Sequence, residues 1–354
     1  MQSEKGSHQG NVTVVGTGSW GTTLAILTAR QGSPTYLLAR TEAEAATLAS
    51  DGENKRFMAG HPFPPGLTPI ADVEQALSTC NILLMVVPSQ TMRANIANLK
   101  PYLDSTRTIV VSAAKGLELG TLLRMSEVLG QELGKEWAGR LAAISGPNLA
   151  REIVAGRPAT SVVAADGGGE VAQRVQEALT GGLFRVYTNP DLVGIELAGS
   201  LKNIIAIAAG MADGMEAGDS AKAALITRGL VEIGRLGVAA GATMFTFAGL
   251  AGLGDMIATC ASPLSRNRFL GQELAKGKTM EQLRVTMGGQ VAEGVTTTVA
   301  ARELAARYGI EMPITEQLYQ ILFEGKAPLA GLNSLLMREP TDEFLSLGVA
   351  GQEV

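Results

Sequence analysis

The chain has 354 residues, 46% apolar and 18% charged, enough for about two domains with their own cores and too well mixed for a disordered or fibrous protein. Lysine and arginine total 29 against 34 aspartates and glutamates, a net charge of −5, so no excess positive charge is on hand to neutralise a nucleic-acid backbone. Two cysteines, Cys80 and Cys260, and two histidines, His8 and His61, are too few and too scattered for a structural metal site or a disulfide framework, which points to a reducing, cytoplasmic setting.

Residues 1–10 read as a polar, flexible leader without the apolar stretch of a signal peptide. No run of about 18 apolar residues follows, so stable membrane insertion is not expected. Short β-branched runs then alternate with helical stretches. Val12–Val15 and Thr35–Leu38 read as buried strands flanking a helix over Thr22–Arg30, and Ile82–Val87, Thr108–Val111 and Ala142–Ile144 continue the series. Ser161–Ala164 and Phe184–Tyr187, on either side of a helix over Glu170–Leu179, extend it. This alternation predicts an α/β fold: a Rossmann-type doubly wound parallel sheet over residues 11–190. After Pro190 the texture changes to alanine- and leucine-rich helices, over Val193–Ala212, Lys222–Ala240, Arg268–Ala275, Thr296–Tyr308 and Thr315–Phe323. An all-helical domain is therefore expected over 191–345, with a tail at 346–354. Cys260 reads as lying in a polar loop.

Gly16-Thr17-Gly18-Ser19-Trp20-Gly21 fits the Gly-x-Gly-x-x-Gly pattern. Glycine is so frequent here, 43 residues, that the pattern alone carries little. Its place does the work, directly after the first strand and opening the first helix. There Gly16 permits the tight turn, Gly18 lets a pyrophosphate approach, and Gly21 lets helix and sheet pack. A dinucleotide is the expected ligand, held at a helix start whose free N–H groups favour an anion. The second strand ends Leu37-Leu38-Ala39-Arg40-Thr41, with no carboxylate before Glu42. An arginine there suits a 2′-phosphate and favours NADP(H), with NAD(H) possible; a plain exposed loop arginine is the alternative.

A dehydrogenase must also move a proton at the oxygen of the group it reduces. His8 lies in the leader and His61 in His61-Pro62-Phe63-Pro64-Pro65, so neither histidine is well placed. Lysine remains, provided that burial or a like charge lowers its pKa. Lys202 interrupts an otherwise largely apolar helix, with Ala198, Gly199, Ile205 and Ala206 at spacings of three and four. It either serves as that acid or snorkels its head to water, and the pattern leaves both open. Asp255 ends a glycine-rich turn, Gly252-Leu253-Gly254-Asp255, and Ser265-Arg266-Asn267-Arg268 begins a helix with a capping serine and a pair of arginines. A helix start beside arginine suits a phosphate ester, as it also suits a solvated surface helix.

In order along the chain, these residues closely resemble the bacterial-type NAD(P)-dependent glycerol-3-phosphate dehydrogenase family, from about Val12 to Glu343. Beside the glycine motif, Val86-Val87-Pro88-Ser89, Lys115-Gly116-Leu117-Glu118 and Ser145-Gly146-Pro147-Asn148 match its first half. Glu196-Leu197-Ala198-Gly199-Ser200-Leu201-Lys202-Asn203, Ala251-Gly252-Leu253-Gly254-Asp255, Ser265-Arg266-Asn267-Arg268 and Val291-Ala292-Glu293-Gly294 match its second. The resemblance implies reversible reduction of dihydroxyacetone phosphate to sn-glycerol 3-phosphate, feeding glycerophospholipid synthesis, with Lys202 giving and taking the proton. It places Lys115, Gly146, Asn148, Asp255, Ser265, Arg266 and Asn267 on the small phosphorylated three-carbon substrate. It places Ser19, Trp20, Arg40, Lys115, Ala150, Arg266, Val291 and Glu293 on the dinucleotide, with Gly16, Gly18 and Gly21. Asn148 departs from the family, which usually has Thr or Ser there. A homodimer is also implied. The competing readings are a related two-domain dehydrogenase acting on a β-hydroxy acid or sugar-acid phosphate, and a non-catalytic dinucleotide sensor.

Overall fold

The structure is a computed structural model, which describes residues 10–287 and 292–340. His8, Val291, the leader short of Gly10 and the tail at 346–354 lie outside the described residues.

The strands are β1 (Asn11–Val15), β2 (Thr35–Leu38), β3 (Leu67–Ile70), β4 (Cys80–Met85), β5 (Ile109–Ser112), β6 (Leu141–Ser145), β7 (Ala159–Ala165) and β8 (Phe184–Thr188). They form one sheet in the order β3-β2-β1-β4-β5-β6-β7-β8. β1 pairs in parallel with both β2 and β4, in registers that set Val14 beside Leu37 on one side and beside Leu84 on the other. The inner strands β4, β5 and β6 are short, largely apolar and buried runs because helices cover both faces, whereas β8 at the far edge alternates buried and exposed residues; a polar interruption is satisfied where buried Thr13 donates its hydroxyl to the Ala76 carbonyl at 2.6 Å. β3 was not read from the sequence. It has four residues, one of them Pro69, and it sits at the sheet edge, where a residue without an N–H is tolerated.

The helices of this first part are α1 (Ser19–Arg30), α2 (Glu42–Asp51), α3 (Lys55–Met58), α4 (Val73–Leu77), α5 (Met92–Leu99), α6 (Met125–Leu133), α7 (Ala150–Val154) and α8 (Gly169–Leu179). Those of the second are α9 (Leu192–Gly214), α10 (Asp219–Ala239), α11 (Met244–Phe247), α12 (Asp255–Ala261), α13 (Arg266–Ala275), α14 (Met280–Thr286), α15 (Glu293–Tyr308), α16 (Pro313–Phe323) and α17 (Pro328–Leu336). Cys260 lies buried on α12 and not in a polar loop, and the glycine-rich turn before Asp255 is a π-helical turn, Leu250–Gly254, that runs straight into that helix.

The chain divides into two compact units. The first takes residues up to Ala114, Ser126–Ile144 and Asn148–Pro190; the second takes Lys115–Met125, Ser145–Pro147 and the chain from Asp191 onward. The expected block of 11–190 is thus interrupted twice. The reason is chemical: Lys115 is ion-paired with Asp255 at 2.6 Å, and Arg124 with Glu196 at 2.6 Å. Ser145 packs so tightly on α9 that a Cβ at Gly199 would lie 2.4 Å from its hydroxyl oxygen.

α9 is the axis of the second unit, largely apolar and buried over most of its length, with Glu196, Lys202 and Asn203 among the buried polar exceptions. Its 23 residues, like the stretch Met244–Ala261, are long and apolar enough to cross a membrane, yet α9 is a core helix, most of its apolar length being enclosed by the rest of the protein. α9 and α13 meet backbone to backbone. A Cβ at Gly210 would lie 2.0 Å from the Arg268 carbonyl oxygen, and one at Gly271 only 1.9 Å from that of Ile207.

Candidate active site

Gly16 follows β1 with φ +114°, a conformation that favours glycine, and a Cβ there would press to 2.4 Å on the Val86 carbonyl just beyond β4. This is where the strand order reverses, the place at which open α/β sheets bind ligands. Gly21 has no room for a side chain, its Cβ position lying 1.9 Å from the Gly16 carbonyl oxygen. Gly18 differs, since nothing stands within 4 Å of its Cβ position. Internal packing does not require glycine there, whereas close approach of a pyrophosphate does. Gly18 is also the N-cap of α1 and lends it no side-chain hydrogen bond, so the first turn is free to hold an anion. These residues fit a dinucleotide. Ser19 and Trp20 open α1, and Trp20 stands edge-to-face on Phe184, ring centroids 6.4 Å apart. Ala150 begins α7, its carbonyl accepting from Thr23 at 3.4 Å. The Arg40 side chain is 79% exposed just past β2 and lies 3.5 Å from Glu44.

In the second unit Lys202, on α9, is 5% exposed and does not snorkel. Its ammonium donates to Asp255 Oδ1 at 3.0 Å and to Thr259 Oγ1 at 2.5 Å. Thr259 can accept because its own proton goes to the Asp255 carbonyl at 2.6 Å. The other carboxylate oxygen of Asp255 takes Lys115 Nζ at 2.6 Å, and Lys115 also donates to the Gly146 carbonyl at 3.1 Å. Four of the residues singled out in the sequence, Lys115, Gly146, Lys202 and Asp255, therefore form one hydrogen-bonded cluster. Burial lowers the Lys202 pKa, Lys115 adds to the effect as a like charge, and Asp255 and Glu293 oppose it without cancelling it.

Ser265 caps α13 as expected, accepting from the Arg268 N–H at 3.2 Å, and exposed Arg266 is the first residue of that helix. Arg268 is not a second anion donor: its Nε is bound to Asp213 at 2.6 Å, which also takes Lys222. Asn267 donates to Asn203 Oδ1 at 2.9 Å and accepts from the Gly294 N–H at 3.0 Å, linking α9 to the start of α15 beside Glu293. Asn148, in the first unit, spends one Nδ2 hydrogen on the Thr160 carbonyl and accepts from Ser161, so its amide is largely committed to β7.

Sequence reasoning missed Thr259, Asn203 and Ser145. Thr259 was findable, because it stands four residues after Asp255 and so on the same helical face, but reading Cys260 as loop removed the periodicity. Asn203 Nδ2 and Ser145 Oγ are buried without a hydrogen-bond partner, polar groups that a bound ligand would satisfy.

A buried lysine held against a carboxylate has the make-up of a proton donor, and a sheet bearing a dinucleotide loop completes the class: a Rossmann-type dehydrogenase with a helical second unit. The models for the N-terminus and the C-terminus of NAD-dependent glycerol-3-phosphate dehydrogenase match residues 11–169 and 191–333, and the chain belongs to that family. It is 47% identical over 338 residues to the glycerol-3-phosphate dehydrogenase [NAD(P)+] of Moorella thermoacetica, covering 96% of this chain and 98% of that one. It is 46% identical to that of Dehalococcoides mccartyi over 334 residues, 94% of this chain and 92% of the relative. The crystal structure of glycerol-3-phosphate dehydrogenase from Coxiella burnetii is similar to it with a TM-score of 0.87 at 38% identity, covering 93% of this chain and 99% of that one.

Proposed function

We propose that the chain catalyses the reversible reduction of dihydroxyacetone phosphate to sn-glycerol 3-phosphate, with Lys202 as proton donor in that direction and proton acceptor in reverse. One observation carries the reading: the Lys202 ammonium, enclosed by protein and held in a fixed direction by Asp255 and Thr259. Gly16, Gly18 and Gly21, with Ser19, Trp20, Arg40, Ala150, Val291 and Glu293, would hold the dinucleotide, NADP(H) in preference to NAD(H). The reduced nicotinamide, when bound, supplies the hydride to the C2 carbonyl. As negative charge grows on the carbonyl oxygen, Lys202 stabilises it and then transfers its proton, and Lys115 contributes a second positive charge. Asp255 keeps both ammonium groups in place, which two like charges so close would not do alone. Ser265, Arg266 and Asn267, at the start of α13, take the phosphate, where a helix N-terminus and a guanidinium favour an anion. Gly146 completes the substrate contacts that the family motif implies, and Asn148, whose amide is bound to Thr160 and Ser161, has one Nδ2 hydrogen left to offer.

The same reading has the enzyme supply glycerophospholipid synthesis as a cytoplasmic homodimer, which rests on the family and, for the compartment, on free Cys80 and Cys260. Oxidation of NADPH and of NADH, each followed with dihydroxyacetone phosphate, tests the activity. Lys202→Ala is expected to abolish turnover and leave NADPH affinity nearly unchanged; unimpaired turnover would refute the assignment. Turnover of a β-hydroxy acid's ketone in place of this substrate would transfer the reading to the related dehydrogenases.

A further inference from the structure

The second strand lacks the carboxylate that usually reads the ribose 2′-hydroxyl, yet the fold brings one to that place from further along the chain. Glu44 is the third residue of α2, 28 positions after Gly16, not the roughly 20 that the dinucleotide fingerprint leads one to expect. Thr41 caps this helix, accepting from the Glu44 N–H at 3.2 Å. In a capping box the Glu44 carboxylate would return to the N-cap backbone. It goes elsewhere. Oε1 accepts from the Thr17 hydroxyl, inside the glycine turn, at 2.6 Å. Oε2 accepts from the Arg40 N–H at 3.2 Å and lies 3.5 Å from Arg40 Nε. One carboxylate thus bridges the phosphate-binding turn and the end of β2, the two points on either side of an adenosine ribose in this fold.

We infer that Glu44 is a specificity-determining residue for the dinucleotide: it accepts the ribose 2′-hydroxyl of NAD(H) and, paired with Arg40, opposes the 2′-phosphate of NADP(H). This rests on the dinucleotide-dependent activity proposed above. Burial works to raise the Glu44 carboxyl, but the hydrogen bonds from Thr17 and Arg40 and the Arg40 charge outweigh it and hold its pKa below the ordinary value. The group is therefore an anion at neutral pH. Its side chain is 24% exposed while Arg40 is 79% exposed, so the guanidinium can swing out to a phosphate and the carboxylate stays tied to Thr17. Both 2′-substituents then find a partner, each at a cost set by the other residue.

The test is fluorescence titration of the full chain with NADPH and with NADH, and competition by adenosine 2′,5′-bisphosphate and by ADP. Glu44→Gln keeps the size and an acceptor for Thr17 but loses the charge. It is expected to raise the NADPH-to-NADH affinity ratio roughly tenfold, NADH weakening and NADPH tightening, with adenosine 2′,5′-bisphosphate gaining on ADP alike. A residue that only tethers the loop would weaken both dinucleotides together, and an unchanged ratio overturns the inference whether or not the affinities fall. Should Glu44→Gln not fold, Glu44→Asp, which draws the carboxylate back by one methylene, is read by the same ratio. Failure of the wild-type chain to bind either dinucleotide would remove the cofactor reading and this inference with it. Binding of both with a flat ratio removes this inference alone.

Discussion

Asp255 Oδ1 lies 3.0 Å from Lys202 Nζ on the neighbouring helix, and it is the carboxylate's other oxygen that holds Lys115. Lys202 is thus buried beside one negative and one positive charge, and burial, the largest influence, brings its pKa below the ordinary 10.5. Reduction needs the ammonium and oxidation needs the free amine. kcat/KM for reduction should therefore fall as pH rises through the Lys202 pKa, and kcat/KM for oxidation should rise across the same interval, both with midpoints below 10.5. Parallel pH–rate profiles in the two directions measure this; a reduction rate that stays level past the ordinary lysine value contradicts it.

Removing the negative neighbour sharpens the same argument. In Asp255→Asn the attraction that raises the Lys202 pKa is gone, while burial and Lys115 remain. The reduction limb should move to lower pH, because burial and the like charge of Lys115 then act on Lys202 without the Asp255 charge against them. A limb that moves upward would mean that Asp255 does not act on Lys202 as a charge.

Much of this site was legible in the sequence because it is built on local signals. The glycine turn announces itself by following β1, Ser265 by its capping position, and Lys202 by being the one cation of a largely apolar helix. What could not be read was tertiary. Nothing local says that Lys115, after β5, shares a carboxylate with a lysine on α9, or that residues 115–125 and 145–147 group with the helices instead of the sheet. Glu44 is the clearest case, since its spacing from the glycine turn is wrong for the fingerprint and only the fold returns it to Thr17. β3 escaped for a different reason, its proline being acceptable only because the strand lies at the edge.

The contact of α9 with α13 predicts a sharp sensitivity to one methyl group. Gly271→Ala must place a Cβ where the Ile207 carbonyl oxygen stands, 1.9 Å away, so the helices have to part. Alanine favours helix by about 1 kcal/mol over glycine, but overpacking costs about 1–3 kcal/mol, more where backbone must move. The variant should melt several degrees below the wild type. Gly169→Ala on α8, where nothing lies within 4 Å, should melt at or above it, and equal behaviour of the two would disprove the packing argument.

Glu232, on α10, places a buried carboxylate at the start of another helix. Its oxygens accept from the Ile314 N–H at 2.8 Å, the Thr315 N–H at 2.9 Å and the Thr315 hydroxyl at 2.8 Å. α16 depends on this because its own N-cap, Met312, has no side-chain acceptor. Glu232→Ala leaves three donors unpaired, one of them the hydroxyl of fully buried Thr315, and should lower stability by about 3 kcal/mol or more. Glu232→Gln, which keeps one acceptor oxygen, should cost less. The pH dependence has a definite sign. Burial raises the Glu232 pKa above its ordinary 4.5 in spite of the three hydrogen bonds. The folded chain then holds this proton more tightly than the unfolded one, so the associated stability is complete below pH 4.5 and is lost as pH climbs through the raised value. Melting temperatures of wild type and Glu232→Gln, measured from pH 4.5 upward, should show the wild type's advantage shrinking with rising pH, because glutamine does not titrate. An advantage that grows with pH would show instead that the helix start and Thr315 hold the anion more strongly than burial penalises it.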